Sequence, residues 1–290
     1  DGFVMLHHDV GFMWLTSAVA DYRITGNGAS KTRGLKAASV LAGRFNPTGG
    51  FIRAWPSWSG NGENSGIAII DSMMNIPLLY WASAEVADPR MKQIAMLHAD
   101  TVMRDFVRPD GSCHHMVEYD AETGEIVAHP CGQGYESGSS WSRGQAWAVY
   151  GFTLSYIHTG KQEYLDTAKR VAHYFLANLG EPALPLVDFR APSEPAIIDS
   201  TAGAIAACGL LELAGQVGEL EKPLYYRAAI RILKALDADC ADYSEERQIL
   251  MDRGTTAYHA EKGREIPIIY GEYYFMEALM KLRGSQILFW

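Results

Sequence analysis

Cysteine is scarce in this 290-residue sequence: four occur, at positions 113, 131, 208 and 240. That is too few for a disulfide scaffold in a chain of this size. No apolar run approaches the ~20 residues that cross a bilayer, and no secretory leader is visible. Positive charge is also short, with 25 Lys and Arg against 34 Asp and Glu and a formal net charge of -9. This balance gives no general attraction to nucleic acid or to an anionic membrane, so recognition of an anionic ligand has to be local. Low-complexity tracts are missing too. With 48% hydrophobic and 20% charged residues, the composition is that of a folded globular protein.

The length exceeds that of an average domain but suits a toroid or closed barrel, so one domain over 1–290 is expected. The chain opens at Asp1 without methionine and enters a helical pattern almost at once, so an N-terminal piece is expected to be missing. Localisation is therefore not readable from it.

An internal repeat points to the fold class. The segments "DYRITGNGASKTRGLKAASVL", "EVADPRMKQIAMLHADTVM", "SYIHTGKQEYLDTAKRVAHYFL" and "GQVGELEKPLYYRAAIRILKAL" each close one helix at a Gly- or Asp-containing turn and open another. Their central alanines are Ala37, Ala95, Ala168 and Ala228. In the third, Tyr164, Leu165, Ala168, Val171, Ala172 and Phe175 recur at helical spacing, as on a helix with one buried face. Partner stretches such as "WAVYGFTLSYI" and "TAGAIAACGLLELA" are apolar nearly all round, as on helices buried from both sides. Alternating inner and outer helices imply a ring. Helices are expected at 8–25, 29–44, 69–86, 89–107, 141–159, 162–179, 200–217, 222–240 and 270–283. The class is all-α, a toroid of six helical hairpins short of its N-terminal helices. The connections "FNPTGGFIRAWPSWSGNGENSG" and 108–140 are long, rich in Gly and aromatic residues, and contain strand-like pieces such as "SCHHMVEYD" and "EIVAH". Long loops at one end of a rigid scaffold are where sites are built.

Several residues in these loops and helix starts carry candidate chemistry. Asp71 interrupts the apolar run "GIAIIDSMMNIPLLYWA". It reads either as a helix N-cap or as a general acid whose carboxyl is raised by an apolar pocket. Asp9 in "LHHDVGFMW" is again an N-cap or the second carboxylate that glycoside chemistry calls for. Both stand at the start of a hairpin, so in a ring they point to the same mouth. Cys113, His114, His115, His129 and Cys131 fit no structural-zinc spacing, because adjacent ligands on a strand point to opposite faces. One histidine reaching substrate and the rest structural is the reading here. Cys113 and Cys131 flank the turn "DAETGE", where a disulfide across a hairpin is an alternative to free thiols. In "SSWSRGQAW", Ser139 or Ser140 is placed to cap a helix, with Arg143 and Trp147 one turn apart on one face and Trp141 and Gln145 on the next. Flat rings suit sugar faces, and an arginine fork near a helix N-terminus suits a carboxylate. The composition points to an acidic sugar.

The assembled blocks resemble the unsaturated glucuronyl hydrolases of glycoside hydrolase family 88. "WSRGQAWAVYGF", "IIDSMMN", "HHDVGFM", "DSTAGAIAACGLLEL" and "GEYYFMEAL" follow that family's order from about residue 7 to residue 283. The resemblance implies an (α/α)6 barrel and a substrate ending in a 4,5-unsaturated uronic acid, left by a polysaccharide lyase. It also implies hydration of the vinyl-ether double bond in place of direct attack on the glycosidic bond. Asp71 matches the general acid and base, and Asp9 a second essential aspartate. Gln133, Trp141, Arg143 and Trp147 match substrate contacts, and Trp55 and His115 match further ones. The expected partner is an unsaturated uronic-acid oligosaccharide, with no metal and no organic cofactor. Bacterial cytoplasm and periplasm are both compatible, and oligomeric state is open.

Rival readings are separated by single features. The unsaturated rhamnogalacturonyl hydrolases carry "RGNGW" where this chain has "RGQAW", so Gln145 and Ala146 favour the glucuronyl family. A non-catalytic acidic-sugar-binding protein would be free to lose Asp71. A helical-repeat interaction protein would expose an apolar or charged concave face instead of a mouth of tryptophan, arginine and carboxylate.

Overall fold

The structure, a computed structural model, describes residues 6–57, 62–285 and 289–290. Part of the Gly- and aromatic-rich connection, at 58–61, therefore lies outside the described residues, as do 1–5 and 286–288.

Nine helices are present among the described residues, eight of them within a few residues of the expected span and one, expected at 69–86, starting late. Helix α1 runs from Val10–Trp14 through a π-helical turn, Leu15–Val19, to Ala20–Thr25, and closes at a left-handed glycine, Gly26 (φ 73°). Helix α2 is Gly28–Ala42, and the Asn27 side chain accepts the Ala29 amide as its N-cap. Next come α3 (Pro77–Val86) and α4 (Arg90–Asp105), then α5 (Ser142–Thr159) and α6 (Gln162–Ala177). Helices α7 (Ser200–Gln216), α8 (Lys222–Asp239) and α9 (Ile269–Leu282) complete the series. Odd-numbered helices form the inner layer: α3 packs on α5, α5 on α7, and α7 on α9. Each even-numbered helix packs back on the inner helix before it.

Burial follows the pattern that the sequence carries. Inner helix α5 is buried without interruption from Ser142 to Ser155. Outer helix α6 buries the stripe Tyr164, Leu165, Ala168, Val171, Ala172 and Phe175, together with Thr167. Ala37, Ala95 and Ala168 are buried as expected. In α8 the buried alanine is Ala229, one position on from the expected Ala228, which is half-buried. Leu224 and Tyr226 are exposed there, so the helix face is rotated relative to its counterparts.

The helix expected at 69–86 does not begin at 69. Strand β3 (Ile67–Ile69) leads into a tight 3-10 turn, Ile70–Met74, and α3 starts only at Pro77, where proline needs no amide donor. Strand β3 pairs antiparallel with β4 (Met116–Tyr119), and β4 with β5 (Ile126–Ala128) across the turn 120–125. Two short strands, β1 (Phe45–Asn46) and β2 (Phe51–Ile52), form a separate hairpin. These strands lie in the two long connections, where strand-like pieces were expected.

Two glycines fix the 3-10 turn between its neighbours. A Cβ on Gly151 of α5 would stand 2.5 Å from Met73 Cβ and 2.8 Å from the Met73 carbonyl oxygen. On Gly11 of α1 it would stand 2.3 Å from Asn75 Cα. Neither contact leaves room for a methyl group, so the turn is clamped from both sides. Gly151→Ala is expected to cost about 1–3 kcal/mol. Gly215→Ala, at a helical position with nothing within 4 Å of the new atom, is expected to hold or raise the melting temperature. Thermal melts of the two variants check this, and equal stability would disprove the clamp.

Candidate active site

The mouth of the ring holds a cavity of about 550 Å³. Inner elements supply its walls: Asp9, Phe12 and Thr16 from the start of α1, Asp71 from the 3-10 turn, Trp141, Arg143 and Trp147 from α5, and Tyr270, Tyr273 and Tyr274 from α9. Gln133 and Trp290 complete it.

Asp71 owes its position to the sheet and the clamp. The register Ile69↔Met116, continued by the Ile70 amide donating to the His115 carbonyl (3.0 Å), sets His115 beside Asp71. Asn75 then ties the turn to α1, donating to the Asp71 carbonyl (3.0 Å) while its Oδ1 accepts the Phe12 amide (2.8 Å). The Asp71 side chain caps neither the turn nor α3, so the N-cap reading is replaced. Its Oδ2 is buried without a hydrogen-bond partner. Burial pushes the carboxyl from 3.8 up to about 6; the His8 and Arg143 charges oppose this and the Asp9 charge adds to it.

Asp9 sits at the N-cap position of α1, but its side chain makes no cap there either. Oδ1 lies 3.1 Å from His8 Nε2, and Oδ2 lies 3.4 Å from His7 Nδ1. Burial raises the Asp9 carboxyl, but the His8 hydrogen bond and charge outweigh it, and the net shift is downward. Burial likewise lowers His8, yet its bond and attraction to Asp9 leave it above the usual value. His8 Nδ1 also donates to the Ala54 carbonyl (3.1 Å), which fixes the ring. The two aspartates thus have opposite characters: one holds a proton near neutrality, and the other is ionised and paired. Such divergence marks acid and base roles.

His115 does not line the cavity. It is buried behind Asp71 and Trp141, its ring 4.2 Å from that of Trp141 and its Nε2 3.7 Å from Asp71 Oδ2. Burial lowers its pKa to about 3, so the ring is neutral. Nδ1 accepts the Gln133 amide at 2.9 Å and lies 3.2 Å from the Cys131 carbonyl. The shorter contact assigns the ring proton to Nε2, facing Asp71. Trp55 also stands apart from the cavity wall, edge-on to His8 at 5.5 Å.

Trp141, Arg143, Trp147 and Gln133 do converge on the cavity. Neither Ser139 nor Ser140 caps α5; Trp141 takes the N-cap position, and Ser139 Oγ and the Ser140 amide bond Asp188 instead (2.6 and 3.0 Å). Gln145 faces away from the cavity and binds the Cys113 amide and the Gly111 and Val171 carbonyls. Arg143 is 1% exposed, with Nη2 donating to the Thr255 and Thr256 carbonyls (2.9 and 2.8 Å). Its guanidinium stacks over Trp141, 4.8 Å from the ring centroid. Asp199 Oδ2, 3.5 Å from Nη1, answers the buried charge.

The remaining residues of the 113–131 set do not gather. His114 stacks on His129 at 4.0 Å, Cys113 is buried against Gln145, and the four cysteines are free. Extending the pairing Glu118↔Ala128 sets Cys131 opposite His115 and away from Cys113, so the thiols are out of register. Among the described residues the group with convergent metal-ligand atoms is His7, His8 and Asp9, within 4.8 Å of one another and already paired to each other.

Sequence reasoning missed Asp199 and the aromatic wall of Phe12, Tyr270, Tyr273, Tyr274 and Trp290. One signal for Asp199 was present. The pentapeptide Ala-Ile-Ile-Asp-Ser occurs at 68–72 and again at 196–200, each time ahead of an inner helix.

Such a mouth, with aromatic walls and two unlike carboxylates, on a ring of helical hairpins defines the class as carbohydrate-processing hydrolases. Comparison with known proteins narrows it. The chain is 38% identical over 290 residues to an unsaturated glucuronyl hydrolase of Bacillus sp. (strain GL1), spanning 98% of this chain and 76% of that protein. It is 35% identical over 289 residues to an unsaturated chondroitin disaccharide hydrolase of Streptococcus pneumoniae, spanning 98% and 72%. Among solved structures, the Bacillus enzyme superposes with a TM-score of 0.90 at 38% identity over 96% of this chain and 75% of that one. A Streptococcus agalactiae unsaturated glucuronyl hydrolase gives 0.91 at 34% identity over 98% and 72%. No protein-family model matches the chain. The protein belongs to the unsaturated glucuronyl hydrolase family, and the (α/α) barrel expected from its repeats is that family's fold.

The Asp71 carboxyl gives a test independent of activity. Its folded pKa of about 6 lies above the ordinary 3.8, so its contribution to stability is full below about 3.8 and is lost as pH rises through about 6. Ionisation in the folded site costs about 3 kcal/mol at higher pH. Asp71→Asn is therefore expected to melt above the parent at about pH 8, with the gap closing towards pH 4. Coincident melting at pH 8 would place the carboxyl in a solvated environment.

Proposed function

We propose that the chain removes a 4,5-unsaturated uronic acid from the non-reducing end of lyase-generated oligosaccharides. The observation that carries this reading is the Asp71 carboxyl, with a pKa of about 6 and no hydrogen-bond partner on Oδ2, facing a cavity walled by tryptophan and a buried arginine. Protonation of carbon demands an acid that still holds its proton near neutral pH. Family members have been solved with such ligands, one with dGlcA-Glc-Rha-Glc and a Streptococcus agalactiae variant with dGlcA-GalNAc6S.

In this mechanism Asp71 gives its proton to C4 of the double bond, and positive charge develops at C5 and the ring oxygen. Water adds its oxygen at C5 and returns a proton to the Asp71 carboxylate. The hemiketal opens to a ketone at C5 and a hemiacetal at C1, which releases the aglycone as an alcohol. Asp9, ionised and held by His8, lies where a negative charge stabilises the developing cation and orients water. Trp141 and Trp147 form flat walls for the sugar, and Arg143 and Gln133 bind its carboxylate side. His115 acts from behind, donating from Nε2 towards Asp71 once its proton has left.

The test is optical, because hydration destroys the conjugated chromophore of an unsaturated disaccharide. Ultraviolet absorbance is expected to fall with the parent enzyme, and Asp71→Asn is expected to slow that loss by about 10²–10⁴-fold. The rate is expected to decline as pH rises above about 6, since the protonated acid is then depleted. Persistent absorbance with a panel of uronyl disaccharides, or an Asp71→Asn variant of full activity, would overturn the assignment.

A further inference from the structure

Asp199 lies outside the cavity wall yet is 0% exposed, on the second copy of the pentapeptide that carries Asp71. Its two oxygens face different partners. Oδ2 stands 3.5 Å from Arg143 Nη1, and Oδ1 accepts the Thr255 amide at 3.1 Å. Thr255 is itself held in place: its Oγ1 donates to the Ile198 carbonyl (2.6 Å), and the Ser200 amide donates to the Arg253 carbonyl (3.0 Å). The Thr255 and Thr256 carbonyls take both hydrogens of Arg143 Nη2, and Thr256 also accepts Gln133 Nε2 (2.6 Å). One buried carboxylate thus faces Arg143 as an ion-pair partner and, through its hydrogen bond to the 255–256 backbone, supports the carbonyls that hold both Arg143 and Gln133.

We infer that Asp199 is the positioning residue for carboxylate recognition, aiming Arg143 and Gln133 at the uronate of the substrate. The inference rests on the reading in which those two side chains bind that group. A buried guanidinium with no counter-charge is strongly unfavourable, so Arg143 can stay dry beside the cavity only if an anion answers it. Asp199 does so at 3.5 Å from Nη1, while the rings of Trp141 and Tyr270 lie 4.8 and 5.5 Å from the guanidinium carbon. Nη2 is committed to two carbonyls, and Nη1 is buried 3.5 Å from Asp199 Oδ2 without a hydrogen bond of its own. Asparagine cannot replace the carboxylate here: if its oxygen keeps the Thr255 amide, its NH₂ faces Arg143, donor against donor, and the flipped amide abandons Thr255.

The test is the ratio of kcat/KM for an unsaturated uronyl disaccharide to that for its C6 methyl ester, whose carboxyl is neutral. The ratio is independent of how much of a variant folds. The parent is expected to favour the acid by about 10–100-fold, the worth of one charge-assisted hydrogen-bond set. Asp199→Asn is expected to bring that preference within about threefold of unity, by raising KM for the acid much more than it changes kcat. Asp199→Glu, which keeps the charge but displaces it, is measured alongside and is expected to lose at least about threefold of the preference. A merely structural role would lower both substrates together; an unchanged ratio in these variants, with Arg143→Ala losing it, would overturn the inference alone. A ratio that survives Arg143→Ala would overturn the underlying reading of the site.

Discussion

A carboxyl group largely withdrawn from water, with one oxygen buried and without a hydrogen-bond partner, keeps its proton to higher pH, and the rest of this site depends on that constraint at Asp71. The constraint is imposed by packing. Strand β3 delivers the chain into the mouth, the 3-10 turn projects Asp71, and backbone pressed against Gly11 and Gly151 leaves the turn no room to relax towards solvent. Asn75 locks the same turn to α1, so the environment of the acid and the position of Asp9 are set by one side chain. Removing any of these supports would let water reach the carboxyl and return it to an ordinary acid.

Around that acid the cavity is electrically divided. Towards α1 the ionised Asp9 is answered by His8, and towards α7 the cation of Arg143 is answered by Asp199. Each charged group that faces substrate is therefore backed by an opposite charge further from the cavity.

Much of this was legible in the sequence because it rests on local periodicity. The stripe on α6, the apolar inner helices and the hairpin turns follow from residue spacing alone, and the helix ends fall within a few residues of expectation. The start of the second inner helix was misread because "GIAIIDSMMN" is apolar throughout, and a buried strand followed by a tight turn has no period to distinguish it from a helix. Asp71, Asp9, Arg143 and the tryptophans stood out as polar or bulky residues in unlikely company. Asp199 did not, although its pentapeptide repeats that of Asp71, because its partner lies on the neighbouring inner helix far away in sequence, and long-range pairing leaves no local trace. The same holds for the tyrosines of α9, whose place on the cavity wall depends on packing across the chain. His115 and Trp55, matched to substrate contacts by the resemblance, stand beside Trp141 and His8 instead of on the cavity wall, a distinction that depends on packing across the chain and leaves no mark in local sequence.

The inner helices bring Asp9, Asp71, Arg143 and Tyr270 together from widely separated points along the chain. Each hairpin can collapse on its own from local contacts, but none of them contains a cavity. Loop-closure entropy is therefore spent before any sugar can be held, and a partly assembled ring has nowhere to bind one. Catalytic competence is in this sense a property of the assembled inner layer: a folding intermediate, however helical, would be silent in an assay, and the appearance of turnover would time the docking of these helices on one another.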